Sequence, residues 1–406
     1  MRRKGETGQT IKPHHLLIKI SLIFKTLIVD NLLPMKNFFL PGLMSRNYYK
    51  KLSALIVVLV GFTFSSFAQK LRVVVAGLNH DHVHNILHAF NNGDVDIIGI
   101  AEPNKQLWAK FGKQYRLPDA LFYTDLKTAL QAQKPDAVLG YNEVARHLDV
   151  VQLCAPLHIP VMVEKPLAAT LAQARQIEQL SLKYKVKVLT NFETTWYASF
   201  HEVYRMLNTD SIGFVKKLVV HDGHEGPKEL GCSKEFLQWL TDPVLNGAGA
   251  LNDFGCYGAN LMTWIMKGQK PIAVTAVTRH YKTDVYPKVD DDATIILEYP
   301  GATGLIEASW NWPYSIKDLE AFGENGYLHA LDGRNITSQK RGRRVSRKQA
   351  APLSAPYHDP IAYLTAVLRN QIPAADDLSS LKYNMMVMQI LDAAKRSAAS
   401  GKRVVL

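Results

Sequence analysis

The sequence is short of several features that would place it quickly. It holds only three cysteines, Cys154, Cys232 and Cys256. An odd set cannot pair completely within one chain and none stands in a Cys-x-x-Cys pattern, so a disulfide framework is excluded and the three read as buried thiols. There is no internal repeat and no long low-complexity tract. The N-terminal apolar stretch, Leu52 to Phe64, stops at 13 residues, short of the roughly 20 that span a bilayer. Broadly spread positive charge is lacking too. The formal net charge is +12, but ten Lys/Arg against two Asp/Glu precede Lys70, and the remainder carries 38 basic and 34 acidic residues. That small residual gives no reason to expect a nucleic-acid partner.

What the chain does have begins at its front. A basic start (Arg46, Lys50, Lys51), the apolar stretch, and small residues at Ser66 and Ala68 form a signal-peptide pattern with cleavage before Gln69. The expectation is an exported, periplasmic protein with no stable membrane insertion after cleavage. Residues 1–43 read as an upstream extension, and Arg2-Arg3 is a weak twin-arginine signal because it lies far from the apolar stretch.

From Leu71 onward, apolar runs alternate with amphipathic stretches: LRVVVAG (71–77), VDIIGIAE (95–102), PDAVLG (135–140), IPVMVEKP (159–166) and VKVLTNF (186–192). Near-continuous apolar strands of this kind belong to a parallel sheet buried on both faces. Between two of them Thr170 and Gln173 form a capping box, and Ile177, Leu180 and Tyr184 share a helix face. The alternation predicts an α/β fold with a doubly wound Rossmann domain over 70–192. After residue 193 longer alternating segments predict a second α/β domain, 193–406, with a large open, mostly antiparallel sheet and two closing helices. The basic run KRGRRVSRK (340–348) reads as a solvated hairpin or loop.

Gly77 ends the first strand and a helix opens directly after it, the place where a dinucleotide diphosphate rests on backbone N–H groups and the helix dipole. The G-x-G-x-x-G pattern is incomplete: positions 77, 79 and 82 are Gly77, Asn79 and His82. Asn tolerates a left-handed conformation, so Asn79 is expected to stand in for the second glycine. Gly77, Asn79 and His80 are the candidate cofactor contacts here, and Glu102, at the end of the second strand, is the expected acceptor of ribose hydroxyls, favouring NAD over NADP. The histidines at 80, 82 and 84 have the density of a metal site. Only the i, i+4 pair His80 and His84 would share a helix face, and no third ligand stands at matching spacing, so no metal is expected.

Glu164-Lys165-Pro166 closes the fifth strand, and Asp253-x-Gly255-x-Tyr257 opens a later helix. In this order and spacing, behind a Rossmann start, the two motifs resemble the Gfo/Idh/MocA oxidoreductases, in the branch with Tyr in the second motif. The resemblance covers residues 70–406. It implies that Lys165, Asp253 and Tyr257 are catalytic, that Glu164 and Lys165 also meet the cofactor, and that the protein associates with copies of itself. Departures are the glycine pattern and the segment LGYNEVARH, where His147 is retained.

The chemistry of those residue types agrees. Oxidising a hydroxyl needs a base for the O–H proton and a cation beside the developing alkoxide. Asp253 and Tyr257 are expected on one helix face, Lys165 is expected to lower the phenol pKa of Tyr257, and Gly255 to leave room for a nicotinamide ring. His221, His224 and Trp312 are the candidate substrate contacts, and Lys165 is counted with them. The expected function is hydride transfer between NAD (or NADP) and a carbohydrate hydroxyl or ketone. The alternatives are an NAD-dependent glycoside hydrolase working by transient oxidation, and a non-catalytic sugar- or nucleotide-binding protein.

Overall fold

The computed structural model describes residues 70–209 and 211–406. The expected signal peptide and its cleavage point fall in residues 1–69 and lie outside the described residues. Among the described residues no helix is long and apolar enough to cross a membrane.

The first half alternates strand and helix: β1 (Arg72–Ala76), α1 (Val83–Asn92), β2 (Asp96–Ala101), α2 (Lys105–Tyr115), β3 (Phe122–Tyr123), α3 (Leu126–Ala132), β4 (Ala137–Gly140), α4 (His147–Cys154), β5 (Val161–Glu164), α5 (Leu171–Tyr184) and β6 (Val188–Asn191). The sheet order is β3-β2-β1-β4-β5-β6, all parallel. Helices cover both faces, so every residue of β4 and β5 is buried, which is why these strands read as unbroken apolar runs. The order reverses between β1 and β4, opening the crevice that ligands of such sheets use. Local capping sets the helix starts: Asn104, Asp125 and Thr170 each accept a backbone N–H from the first turn of their helix. Only half of the Thr170–Gln173 capping box forms, because the Gln173 amide donates to the carbonyl of Ala145 instead.

The second half adds α6 (Ala198–Asn208), β7 (Val215–Gly223), α7 (Lys234–Leu240), α8 (Ala250–Asp253), α9 (Gly255–Ile265), β8 (Ala273–Arg279), β9 (Asp292–Glu298), β10 (Thr303–Ser309), β11 (Ile316–Gly323), β12 (Gly326–Ala330), β13 (Asn335–Lys340), β14 (Ser346–Gln349), α10 (Pro360–Leu368), α11 (Leu381–Ser400) and β15 (Val404–Val405). Its nine-stranded sheet runs β14-β13-β12-β11-β7-β10-β9-β8-β15, antiparallel except for β7 against β10. Helix α9 is buried along its whole length and lies close on the sheet: a Cβ on Gly258 would come within 2.5 Å of Ile306. The basic run forms the β13–β14 hairpin, with all four residues of β14 exposed.

The closing helices divide between the two sheets. Helix α11 packs on α9 and β8, whereas α10 returns to the first sheet, where Ile361, Tyr363, Leu364 and Val367 join a core with Val73, Ile86, Leu139 and Met162. The Rossmann core is therefore completed by residues 170 or more positions beyond its last strand.

Candidate active site

The turn after β1 is held from both sides. Gly77 has φ +91° and a Cβ there would sit 2.7 Å from that of Asn142, so the position needs glycine on both counts. The N–H of Leu78 donates to Glu102 at 2.8 Å, and the second Glu102 oxygen accepts the N–H of Asn104 at 2.8 Å. Burial raises the Glu102 carboxyl pKa, and these two amides only partly offset it. Glu102, expected as an acceptor of ribose hydroxyls, braces the turn and is 3% exposed. Asn79 is not in the left-handed region, so it is no conformational substitute for a glycine. Its carbonyl instead accepts the Trp239 indole N–H from α7 at 2.9 Å. His80 is buried against Phe236, Trp239 and His82; burial, then the neighbouring His82 and Lys165, keeps it neutral by lowering its pKa.

His82, where the glycine pattern has its third glycine, turns its ring to Glu164 and donates from Nδ1 at 2.8 Å, while the other Glu164 oxygen accepts the Asn191 amide at 2.8 Å. His80 and His84 do not share a helix face, because α1 begins only at Val83; His84 bonds the Tyr115 hydroxyl at 2.5 Å. His147 is fully buried and bonds the carbonyl of Leu167, fixing the chain just beyond the Glu-Lys-Pro motif; burial lowers its pKa to about 4.

Lys165 leaves the end of β5 and pairs with Asp253 across the two halves of the chain. Its ammonium is 2.5 Å from Asp253 Oδ1 and 3.2 Å from the Asp253 carbonyl oxygen. The other carboxylate oxygen accepts the Trp310 indole N–H at 2.9 Å. Burial alone would neutralise both groups, yet each overrides it for the other: the Lys165 pKa is raised and the Asp253 pKa lowered.

Two expectations about the second motif need correction. The helix breaks at Phe254, between α8 and α9, so Asp253 and Tyr257 stand on separate short helices rather than on one continuous face. A Cβ on Gly255 would meet Ile295 at 3.1 Å, so this glycine serves packing on the sheet and not a nicotinamide ring. The Lys165 ammonium lies 5.0 Å from the centre of the Tyr257 ring, and the Lys317 ammonium lies at the same distance. The phenol pKa is nevertheless raised well above its ordinary value, by burial first and then by Glu193 and Asp222. The expectation that Lys165 lowers it is overturned.

The substrate candidates divide. His224 belongs to the site: its ring meets Phe254 edge-on at 4.8 Å and feels Asp253, Lys317 and Lys165. His221 does not. Strand β7 turns it to the opposite face of the sheet, where Nδ1 donates to Asp318 at 2.7 Å and His329 holds the other oxygen. Its neighbour Asp222 faces inward, directly across from Lys317 on β11. Trp312 packs on Gly223 beside His221, and Trp310 is the tryptophan that touches the site. Sequence reading missed Asp222, Lys317 and Glu193. Lys317 pairs with Glu193, which also accepts the Tyr197 hydroxyl at 2.5 Å. Asp222 is 1% exposed and its Oδ1 has no partner. Cys154 and Cys256 are buried as expected, and Cys232 is half-buried.

Beside this charged cluster lies a cavity of about 480 Å³ whose wall includes His82, Tyr141, Asn191, Glu193 and Trp196. A dinucleotide fits the frame in its turn, its strand order and its crevice. One turn amide is already taken by Glu102, and His82 occupies space that glycine would leave open.

Residues 71–192 match the model of the oxidoreductase family with NAD-binding Rossmann fold, and residues 200–329 that of the GFO/IDH/MocA C-terminal domain. Trans-1,2-dihydrobenzene-1,2-diol dehydrogenase of Xenopus laevis is 29% identical over 219 residues, covering 53% of this chain and 61% of the relative. The Bos taurus enzyme of the same name is 26% identical, covering 56% and 64%. The matched stretch is thus under two thirds of these relatives' length. Among solved structures, aldose-aldose oxidoreductase from Caulobacter crescentus, complexed with glycerol, superposes with TM-score 0.71 at 20% identity over 83% of this chain and 100% of its own. An inositol dehydrogenase homolog from Azotobacter vinelandii, complexed with NAD+, gives 0.72 at 17% identity over 84% and 98%.

Proposed function

The chain belongs to the Gfo/Idh/MocA oxidoreductase family, and from that premise we propose that it moves hydride between a nicotinamide dinucleotide and a hydroxyl-bearing carbon of a sugar or polyol. The observation that carries this reading is the buried Lys165–Asp253 pair, built from the end of a first-sheet strand and a helix of the second half. A fixed ammonium with its carboxylate partner supplies positive charge for an oxygen that becomes an alkoxide, and in a dry site that charge acts at full strength. The dinucleotide, when bound, supplies the hydride acceptor; the Gly77 turn is the segment we assign to hold it.

The proton side is carried by this chain's own groups. Lys165 stays an ammonium and Tyr257 a neutral phenol, so both present hydrogen to a substrate oxygen and neither is a resting base. Asp222, inward-facing and unpartnered, is the acceptor we assign to a substrate hydroxyl, with His224 alongside. The relatives' names speak of diols, aldoses and inositol, which supports a substrate with neighbouring hydroxyls. Asp222 also lends weight to a second reading, redox-neutral glycoside cleavage, because an extra acid-base group beside the oxidised carbon is what elimination requires.

Export to the periplasm, and self-association through the open sheet, remain part of the proposal. The first rests on the basic, apolar and small-residue order of residues 44–69. The second is supported by exposed Val277, Ile296 and Phe322 on the outer sheet. The deciding experiment incubates purified protein with NAD+ and a panel of aldoses, inositols and β-glycosides, following NADH absorbance and released sugar together. NADH formation that disappears in Lys165→Met supports hydride transfer. Sugar release without NADH accumulation selects the hydrolase, and neither event with any substrate removes the enzymatic reading.

A further inference from the structure

The sequence singles out the histidines at 80, 82 and 84 but no further ligand; the fold leaves His84 aside and brings His80 and His82 to a carboxylate. A nitrogen of His80, a nitrogen of His82 and a carboxylate oxygen of Glu164 lie within 4.8 Å of one another, brought together by the turn after β1 and the end of β5. We propose that these three residues form a binding site for a divalent cation of the zinc type, a site separate from the Lys165–Asp253 pair. It does not rest on the hydride-transfer reading.

The donor set is the first argument. Two imidazoles and one glutamate make the three-protein-ligand arrangement in which zinc keeps a fourth position open. Donors about 2 Å from a tetrahedral ion stand roughly 3.3 Å apart. His82 Nδ1 and Glu164 Oε2, at 2.8 Å, are already closer than that, so the ion requires them to part slightly rather than to travel.

Burial and orientation supply the second argument. His80 is 1% exposed and its Nε2 has no hydrogen-bond partner, a polar atom whose burial demands a bonding partner that the protein does not provide. Its Nδ1 accepts the N–H of His82 at 3.1 Å. With Nε2 as the donor, the ring proton would move to Nδ1 and the bond from the His82 N–H would be given up for the metal bond. On His82 the proton moves from Nδ1 to Nε2 of a ring that is about one-third exposed. Glu164 is already oriented from behind, its other oxygen held by Asn191, which in turn accepts the Trp196 indole N–H. Such outer hydrogen bonds are what fix a ligating carboxylate. His82 and Asn191 line the 480 Å³ cavity, so the open position would face space large enough for water or a diol.

The test uses the full chain, stripped with a chelator and titrated calorimetrically with zinc sulfate in the absence of dinucleotide and sugar. One zinc per chain is expected. His82→Ala and Glu164→Gln should each weaken binding at least ~10-fold, the scale on which even supporting residues of metal sites act. His84→Ala, altering a ring already held by Tyr115, should leave it unchanged. Both ligand variants are mild, since His82 is partly exposed and glutamine can keep the Asn191 contact; circular dichroism verifies that they fold. The proposal is overturned if zinc binds these two variants as tightly as the parent, or if no saturable binding occurs below about 1 mM. It also fails if His221→Ala alone abolishes binding, which would place the ion at the outer-face cluster of His221, Asp318 and Glu320. Because only zinc is measured, failure here leaves the redox reading standing, and the reverse holds as well.

Discussion

The Lys165 ammonium and the Asp253 carboxylate meet at 2.5 Å with both side chains almost wholly shut from water. A buried pair of this kind is costly to break from one side, about 3 to 5 kcal/mol, because the remaining charge is stranded. Lys165→Met and Asp253→Asn should therefore each lower the melting temperature clearly, and the double variant should recover much of the loss. Turnover should fall roughly 10²-fold or more in either single variant and should not recover in the double one. Restored activity in the double variant would make the pair structural only.

Tyr257→Phe isolates the hydroxyl. The ring keeps its edge-to-face contact with Phe192, so stability and NADH binding should stay near the parent while turnover drops about 10²-fold. Since burial and the carboxylates Glu193 and Asp222 hold the phenol above its ordinary range, no activity limb from a tyrosinate should appear between pH 7 and 9. A limb present in the parent and lost in Tyr257→Phe would refute this assignment.

Glu102 holds the turn amide of Leu78 and the helix-start amide of Asn104. Glu102→Ala leaves both amides without their acceptor in a buried place, at a cost of about 1 to 3 kcal/mol each at most. Dinucleotide binding should weaken for NAD and NADP together, measured by fluorescence titration of the reduced forms. A selective change in NADP affinity would restore the ribose-contact role instead.

Buried histidine contributes to the acid sensitivity of the fold. His147 has a folded-state pKa of about 4 against an unfolded value near 6.5. The unfolded chain therefore takes up the proton first as pH falls. The stability this group contributes is complete above about pH 6.5 and is lost progressively toward pH 4, roughly 3 kcal/mol in all. His80, also shifted downward, adds in the same direction. Chemical denaturation at pH 7 and pH 4.5 should show this loss, and His147→Gln should flatten it. An unchanged slope in the variant would exclude His147 as its source.

Much of the frame was legible because local chemistry wrote it. Unbroken apolar strands announced the parallel sheet, and Thr170 announced its helix. The Glu-Lys-Pro and Asp-x-Gly-x-Tyr motifs located Lys165 and Asp253 before any distance was known. Errors arose where a long-range partner decides. Strand β7 has period two, so choosing His221 over Asp222 by residue type placed the candidate on the wrong face of the sheet. Lys317 carries no local signal at all; its role comes from lying across from Asp222 and over Tyr257. The bracing role of Glu102 went unread because nothing in its own segment reveals that Leu78 reaches it. Helix α10 looked like part of the second half, and only its packing returns it to the first.

Asp222 gives the most discriminating prediction, because stability and activity should move apart. Its carboxyl is buried with one oxygen unpartnered, and burial, against the pull of Lys317, holds its pKa well above the ordinary carboxylate range. A group that makes so few bonds contributes little to the fold, and buried polar atoms without partners are a net cost. Asp222→Asn should therefore leave the melting temperature unchanged or slightly raised. If Asp222 receives a substrate hydroxyl, the same variant should lower kcat/KM by about 10²-fold, the scale expected for a positioned proton acceptor. Lys317→Met, which removes the charge directly across the strand, should shift the pH dependence of that step without abolishing it. A destabilised Asp222→Asn with parent-like kcat/KM would make Asp222 a structural residue and leave the proton acceptor to be sought at His224.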